Sequence, residues 1–204
     1  MPESNKFLIG IGCTALSGKD TLFKCLSHIL TPSVDLERVS LGDILKAEVS
    51  KITKELYGIS AFTTDPIEKE LIRPFFVSHG KIKRSITKGQ YFTDLVQERV
   101  NLLKENNILG VCTDIRYAVY PKDEIFWLKQ VNGGKYIHIN RFDKNGSKIL
   151  GANPDEIENE KVLSKMADYT LNWASSDDFS YLCDTVSVQL KDLIVQIKSK
   201  YAKT

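Results

Sequence analysis

Short apolar runs alternate with longer amphipathic stretches along this chain of 204 residues. Such runs are typical of strands buried on both faces of a sheet, which need an apolar side chain at nearly every position. We predict five of them, over residues 6–12, 34–40, 108–113, 136–140 and 168–172. Because helix-like stretches separate the runs, the pattern predicts an α/β fold, a three-layer, doubly wound sheet of five parallel strands.

Apolar residues repeat at helical spacing between and after these strands. The predicted helices cover residues 21–30, 43–56, 66–77, 91–104, 122–131 and 177–201. Two segments lack this period: the basic residues 79–89 are predicted to be irregular, and the Gly- and Asn-containing residues 142–155 are predicted to form a loop. A chain of this length usually folds as one domain, so we assign residues 1–204 to a single domain.

Composition and charge exclude several classes of protein. Hydrophobic residues make up 42% of the chain and charged residues 26%, which excludes a disordered or collagenous protein. The 28 Lys and Arg against 26 Asp and Glu give a net charge of +2. That balance argues against a nucleic-acid coat protein and against a polybasic membrane binder. We therefore expect neither nucleic acid nor a membrane as a partner.

The cysteines and histidines predict neither disulfides nor a metal site. The 4 Cys contain no CxxC pair, and the 3 His do not have metal-ligand spacing. Scattered cysteines at apolar positions are typical of reduced thiols in the cytosol. The first residues lack the features of a signal peptide, and no apolar run reaches the roughly 18 residues of a membrane span. We predict a soluble, cytoplasmic protein.

Ligands of doubly wound sheets bind beyond the carboxyl ends of the strands. Arg116 follows the third predicted strand and Arg141 the fourth. Arginine suits phosphate recognition because its planar guanidinium binds two phosphate oxygens at once and stays charged. We therefore predict functional roles for both residues, and structural or solvent-facing roles for Arg38 and Arg99.

The segment after the first strand has the make-up of a phosphate-binding loop, reading GCTALSGKDT from Gly12 to Thr21. Such a loop needs small residues whose backbone N–H groups surround an anion, a helix N-terminus beside it, and a lysine for the outer phosphates. Ser17, Gly18 and Lys19 meet these needs.

The loop departs from the usual pattern at two positions. Cys13 stands where the first glycine is expected, and Asp20 replaces the hydroxyl residue that binds magnesium. An ordinary helix N-terminus capped by serine and aspartate is the alternative interpretation. The placement after a first strand favours phosphate binding, by Gly12, Ser17, Gly18, Lys19, Asp20 and Thr21.

Residues 11–21, IGCTALSGKDT, and the strand end Thr113-Asp114-Ile115-Arg116-Tyr117 carry a family resemblance. Both segments resemble phage-type deoxynucleoside monophosphate kinases. Weaker similarity in the same order extends over most of the chain, at residues 41–46, 72–73, 83–86 and 167–171. The resemblance implies a P-loop kinase fold with a substrate-side helical region at about residues 42–105 and a lid-like loop at about 141–157. It also implies a viral origin with a place in host cytoplasm, and leaves a homodimer open.

The implied reaction transfers the γ-phosphoryl group of ATP, with Mg²⁺, to a (deoxy)nucleoside monophosphate. The implied catalytic residues are Lys19, Arg73, Arg84, Arg116 and Arg141. The acceptor would be bound by Asp43, Lys46, Arg73, Arg84, Asp114 and Arg116. The metal would be bound by Asp20 and, through water, by Asp114, which could alternatively orient an arginine. Asp43 could instead complement a helix dipole, and Asp114 could be an ordinary strand-end residue.

Other interpretations stay open on the sequence. The same fold could phosphorylate another small acceptor, similar to dephospho-coenzyme A, or a modified base in DNA. If Cys13 prevents the loop from supporting catalysis, the chain would instead be a non-catalytic nucleotide-binding protein. Four aromatic residues are candidates for stacking on a base, although core packing explains Phe92 and Trp127 equally well: Tyr91, Phe92, Trp127 and Trp173.

Overall fold

The computed structural model describes residues 6–12, 17–150 and 154–203. Its strands are β1 (Ile9–Gly12), β2 (Leu36–Val39), β3 (Leu109–Ile115), β4 (Lys135–Phe142) and β5 (Tyr169–Ala174). They form one sheet in the order β2-β3-β1-β4-β5, and every neighbouring pair is parallel. The prediction of an α/β fold with five parallel strands is confirmed, and β1 lies at the centre of the sheet.

Helices cover both faces of this sheet. They are α1 (Lys19–Leu30), α2 (Leu41–Tyr57), α3 (Pro66–Thr87), α4 (Tyr91–Glu105), α5 (Glu124–Phe126), α6 (Pro154–Lys165), α7 (Phe179–Gln189) and α8 (Lys191–Tyr201). A π-helical turn, Trp127–Val131, continues α5. None of the helices in the described ranges is long and apolar enough to cross a membrane.

Two apolar cores lie on opposite faces of the sheet, because successive side chains of a strand point to opposite sides. Ile9 and Ile11 of β1 belong to the core that α1, α7 and α8 cover. Leu8 and Cys112 belong to the other core, together with α4 and the π-helical turn. The sheet is thus the middle of three layers.

Helix α3 is longer than the sequence predicted. It runs to Thr87, so the prediction of an irregular segment over residues 79–89 is wrong for most of its length. The helix ends where Lys88 and Gly89 adopt positive φ angles of 53° and 95°. Periodicity missed this part because the buried face here carries Gly80 and Arg84 rather than large apolar side chains.

Other elements also differ from the sequence prediction, and helix α6 (Pro154–Lys165) was not predicted at all. The terminal helix is interrupted at Leu190, which separates α7 from α8. Strand β4 continues to Phe142, and α6 begins at Pro154, so only residues 143–150 of the lid-like loop are seen as loop. Residues 151–153 of that loop lie outside the described residues.

Candidate functional site

The carboxyl end of β1 meets the ends of both neighbouring strands. Gly12 is level with Ile115 of β3 on one side and with His138 of β4 on the other. A register shift between Gly10 and Gly12 gives β3 one extra residue there. This bulge lies directly before Arg116, as bulges near functional sites often do. The sheet therefore brings Arg116 to the point where the candidate phosphate loop begins. We call the carboxyl ends of the parallel strands, where these residues lie, the edge of the sheet.

Gly12 ends β1 in a space that admits no side chain. A Cβ atom at this position would lie 2.4 Å from the Tyr136 hydroxyl and 2.4 Å from the backbone oxygen of Ile115. The strand can leave the sheet closely packed only because this residue is glycine. Cys13, the departure in the loop pattern, lies outside the described residues.

The other end of the loop is fixed by Trp173 of β5. Gly18 has a φ of 93°, and a Cβ there would lie 2.5 Å from the indole of Trp173. The indole Nε1 donates a hydrogen bond of 3.1 Å to the Ser17 carbonyl oxygen. Trp173 is buried against Ser17 and Gly18, so it is not in a position to stack on a base. Its role as a loop support could not be seen in the sequence.

The first turn of α1 begins at the end of the candidate phosphate loop. Gly18 is its N-cap, and no side chain of the described residues caps the helix by a hydrogen bond. Backbone N–H groups at such a terminus attract phosphate, and the helix dipole adds to the attraction. Lys19 and Thr21 are half-buried in this turn, whereas Asp20 points to solvent with 81% of its side chain exposed.

Arg38 links this turn to the start of α2. Its Nη1 donates a hydrogen bond of 2.7 Å to Asp43, and its Nε lies 3.8 Å from the Asp20 carboxylate. The Lys46 ammonium is 3.4 Å from the other oxygen of Asp43. The expected acceptor residues Asp43 and Lys46 are therefore neighbours, and Arg38 joins them to the candidate phosphate loop. The sequence predicts only a structural or solvent-facing role for Arg38, although its place near the end of β2 is the signal that could have pointed to this edge.

Asp114 holds the beginning of α2. Its carboxylate accepts hydrogen bonds from the Ser40 hydroxyl (2.9 Å) and from the backbone N–H groups of Leu41 (3.1 Å) and Gly42 (2.6 Å). The Cys112 thiol lies 3.4 Å from the same carboxylate. Because these donors occupy the roughly four acceptor positions of a carboxylate, Asp114 has no oxygen left to ligate a metal directly. Its contacts give it a structural role.

Arg84 of α3 is an internal side chain. It is only 7% exposed, and its Nη2 donates a hydrogen bond of 2.7 Å to the fully buried Asp123. The guanidinium carbon lies 3.4 Å from the ring centre of Tyr117. Asp123 also accepts from the backbone N–H groups of Val119 and Tyr120. The ion pair thus fastens the segment after β3 to α3, and Arg84 is not presented to a ligand.

Glu124 holds the backbone of Arg116 in place. Its carboxylate accepts hydrogen bonds from the backbone N–H groups of Arg116 (2.6 Å) and Tyr117 (3.1 Å). The Arg116 side chain itself is exposed, and its guanidinium makes no hydrogen bond or ion pair with the described residues. The chain therefore holds the backbone of Arg116 in place and leaves its charge available.

We expect Glu124 to make the protein less stable as the pH rises. Burial raises the pKa of this carboxyl from 4.5 to about 8, the charge of Asp123 adds to the rise, and Arg84 opposes it. The folded chain then binds the proton more tightly than the unfolded chain, so the contribution is full below pH 4.5 and is lost as the pH rises to about 8.

The variant Glu124→Gln tests this dependence, because its amide oxygen can accept the same two backbone hydrogen bonds without ionising. Urea unfolding across this pH range should show a smaller loss of stability in Glu124→Gln than in the unaltered protein. Glu98→Gln, at an exposed position of α4, is the matched control and should keep the full slope. An equal slope in all three proteins would show that Glu124 is not responsible.

The other two predicted arginines differ in their surroundings. Arg141 of β4 is half-buried, and its Nε donates a hydrogen bond of 3.0 Å to Ser175. Its backbone is level with Trp173, which supports the loop, so Arg141 belongs to the same edge. Arg73 of α3 forms an ion pair of 3.0 Å with Glu70, one turn away; Glu70 is largely exposed and Arg73 is half-buried. Among the described residues, the Arg73 side chain makes hydrogen bonds or ion pairs with Glu70 alone.

The remaining aromatic candidates are accounted for by packing. Phe92 and Trp127 are buried in the core on the α4 face. Tyr91 is half-buried, and its hydroxyl donates a hydrogen bond to Glu48, which also contacts His79 at 2.8 Å. These contacts join α2, α3 and α4, the expected substrate-side region.

The expected lid contains a tight turn in its described part. Asp143 accepts hydrogen bonds from the backbone N–H groups of Asn145 (2.8 Å) and Ser147 (2.9 Å). The Lys148 ammonium lies 2.6 Å from the nearly buried Glu160 of α6, which ties the turn to that helix. A lid function of the segment stays a prediction.

Neither the protein-family models nor the curated proteins include a match to this chain. Within the described residues, no group of three or more His, Cys, Asp or Glu is placed to hold a metal ion. The function is therefore inferred from the residues at the carboxyl ends of the strands.

Proposed function

We propose that the protein is a nucleoside monophosphate kinase, which transfers the γ-phosphoryl group of ATP to a (deoxy)nucleoside monophosphate. The observation that carries the proposal is the exposed Arg116, which follows the strand residue level with Gly12 and whose guanidinium pairs with none of the described residues. Lys19 and the first N–H groups of α1 follow the same strand end. Two phosphorylated substrates need such a concentration of positive charge, because their phosphates repel each other as they approach.

In this proposal, each residue of the site has a separate role in binding or transfer. Lys19 and the first turn of α1 bind the outer phosphates of the donor. Arg116 binds the acceptor phosphate, and Arg141 neutralises the group in transfer. The acceptor oxygen is already anionic at neutral pH, so the reaction needs no general base. Trp173 and Glu124 fix the loop and the Arg116 backbone, which keeps the reacting groups in line.

Of the two expected metal ligands, Asp20 has a carboxylate that fits magnesium. Mg²⁺ prefers oxygen ligands and commonly takes one or two carboxylates with water and substrate phosphates. Asp20 is exposed and offers its carboxylate, while the oxygens of Asp114 are occupied. When bound, the ion would neutralise charge on the donor phosphates.

A panel of acceptors tests the proposal. The protein is mixed with Mg-ATP and each nucleoside monophosphate in turn, and ADP formation is measured. We expect turnover with at least one monophosphate and none with dephospho-coenzyme A or DNA. ADP formation only with one of the latter acceptors would reassign the substrate. Thermal protection by ATP without any ADP formation would indicate a non-catalytic nucleotide-binding protein.

We expect Arg116→Met to weaken catalysis about 10- to 150-fold in kcat/KM for the monophosphate, the loss typical of a hydrogen bond to a charged group. The KM for ATP should change little, because Arg116 is assigned to the acceptor. Arg99→Met is the matched control, since Arg99 pairs with Glu37 and is assigned no role. Equal kinetics for both variants would remove Arg116 from the site.

A further inference from the structure

Helix α3 presents an apolar stripe to solvent. Ile67, Leu71, Ile82 and Ile86 are 73%, 68%, 58% and 75% exposed. Successive members are four residues apart within each half of the helix, so they lie along one side. Isolated exposed apolar residues are common, but a stripe along a 22-residue helix, about 33 Å long, is an interaction surface.

The stripe is symmetric about the middle of the helix, which falls between Phe76 and Val77. Ile67 and Ile86 are equally far from this point, and so are Leu71 and Ile82. A two-fold axis through the midpoint pairs α3 with an antiparallel copy of itself. In that pairing, Leu71 of each copy contacts Ile82 of the other. A surface that repeats itself in this way matches the isologous interface of a symmetric dimer.

The charges on α3 also favour an antiparallel copy. Glu70 and Lys81 are both exposed on the same flank of the stripe, one in each half of the helix, and Glu70 also pairs with Arg73 of its own helix. Antiparallel pairing brings Glu70 of one copy near Lys81 of the other. It also sets the positive end of each helix dipole beside the negative end of its neighbour. A parallel arrangement would place like charges together.

A groove beside the stripe can accept an apolar side chain of the second copy. Tyr57 at the end of α2 and Leu71, Pro74 and Phe75 of α3 line an apolar cavity of about 570 Å³. In the antiparallel pairing, Ile82 of a second copy reaches this groove. The stripe alone is narrow for a stable dimer, which usually buries about 800 Å² on each subunit, and the groove widens the contact.

We propose that α3 is the interface of a homodimer, with two copies packed antiparallel about the helix midpoint. The inference does not depend on the kinase proposal, because it uses no residue of the candidate site. It explains why large apolar side chains remain exposed on a helix whose opposite side is already packed against α2 and α4.

The mass of the protein in solution tests the interface. Light scattering after size-exclusion chromatography should give twice the chain mass for the unaltered protein. Leu71→Lys and Ile82→Glu should each give a monomer, because each places a charge in the apolar contact. Val195→Glu, at a similarly exposed position of α8, is the matched control and should stay dimeric. Circular dichroism checks that every variant is folded.

Mixing the two monomeric variants tests the antiparallel register. A mixture of Leu71→Lys and Ile82→Glu proteins should regain the dimer mass, because the two new charges then face each other. A mixture of Leu71→Lys and Ile67→Glu proteins should stay monomeric. A monomeric unaltered protein, or a dimer that survives both single substitutions, would overturn the interface. Failure of the first mixture to dimerise would overturn the register.

Discussion

Replacing Lys19 with alanine is expected to lower kcat about 100- to 1,000-fold, the usual cost of removing one group that stabilises developing charge. Lys19 is half-buried in the first turn of α1, directly after the N-cap Gly18. Steady-state kinetics with saturating monophosphate measures the effect. Binding of ATP, followed by thermal shift, should weaken as well.

Lys24→Ala is the matched control for this substitution. Lys24 lies on the same helix but is exposed, away from the first turn. Its replacement should leave kcat and ATP binding unchanged. If Lys24→Ala lowered kcat as much as Lys19→Ala, the charge of the helix as a whole, and not its first turn, would be responsible.

Arg84→Met is expected to destabilise the protein by about 3–5 kcal/mol, because it leaves a buried carboxylate without its partner. Asp123 is fully buried, and its carboxylate lies 2.7 Å from the guanidinium. The free energy of unfolding, from urea titration, measures this loss. The double variant Arg84→Met with Asp123→Asn should recover part of it, since the uncompensated charge is gone.

Arg73→Met provides the contrast. Arg73 pairs with Glu70 on the surface, and exposed ion pairs contribute about 0–1 kcal/mol. Its replacement should leave stability nearly unchanged. Equal losses in Arg84→Met and Arg73→Met would contradict the structural role that the buried ion pair assigns to Arg84.

The sheet could be predicted because its central strands are short and almost wholly apolar. β1 and β3 are buried at every position, so their sequences show no alternation that a helix or an exposed strand could imitate. Parallel order follows from the helices between them. The edge on which Lys19, Arg116 and Arg141 lie could therefore be located before any contact was known.

The roles of individual arginines could not be predicted, because they depend on partners far away in the chain. Arg84 and Arg116 look alike in sequence, yet Asp123, 39 residues from Arg84, makes one of them internal. Trp173 lies 156 residues from the carbonyl that it supports. Local pattern carries no information on such contacts.

Transfer of a labelled phosphate tests the central proposal most directly. The protein is incubated with ATP carrying ³²P at the γ-position, Mg²⁺ and each nucleoside monophosphate, and the products are separated by thin-layer chromatography. The proposal predicts that the label appears in the nucleoside diphosphate, and that Lys19→Ala slows the transfer about 100- to 1,000-fold. Label that stays in ATP, or appears only in inorganic phosphate, with every monophosphate would contradict it.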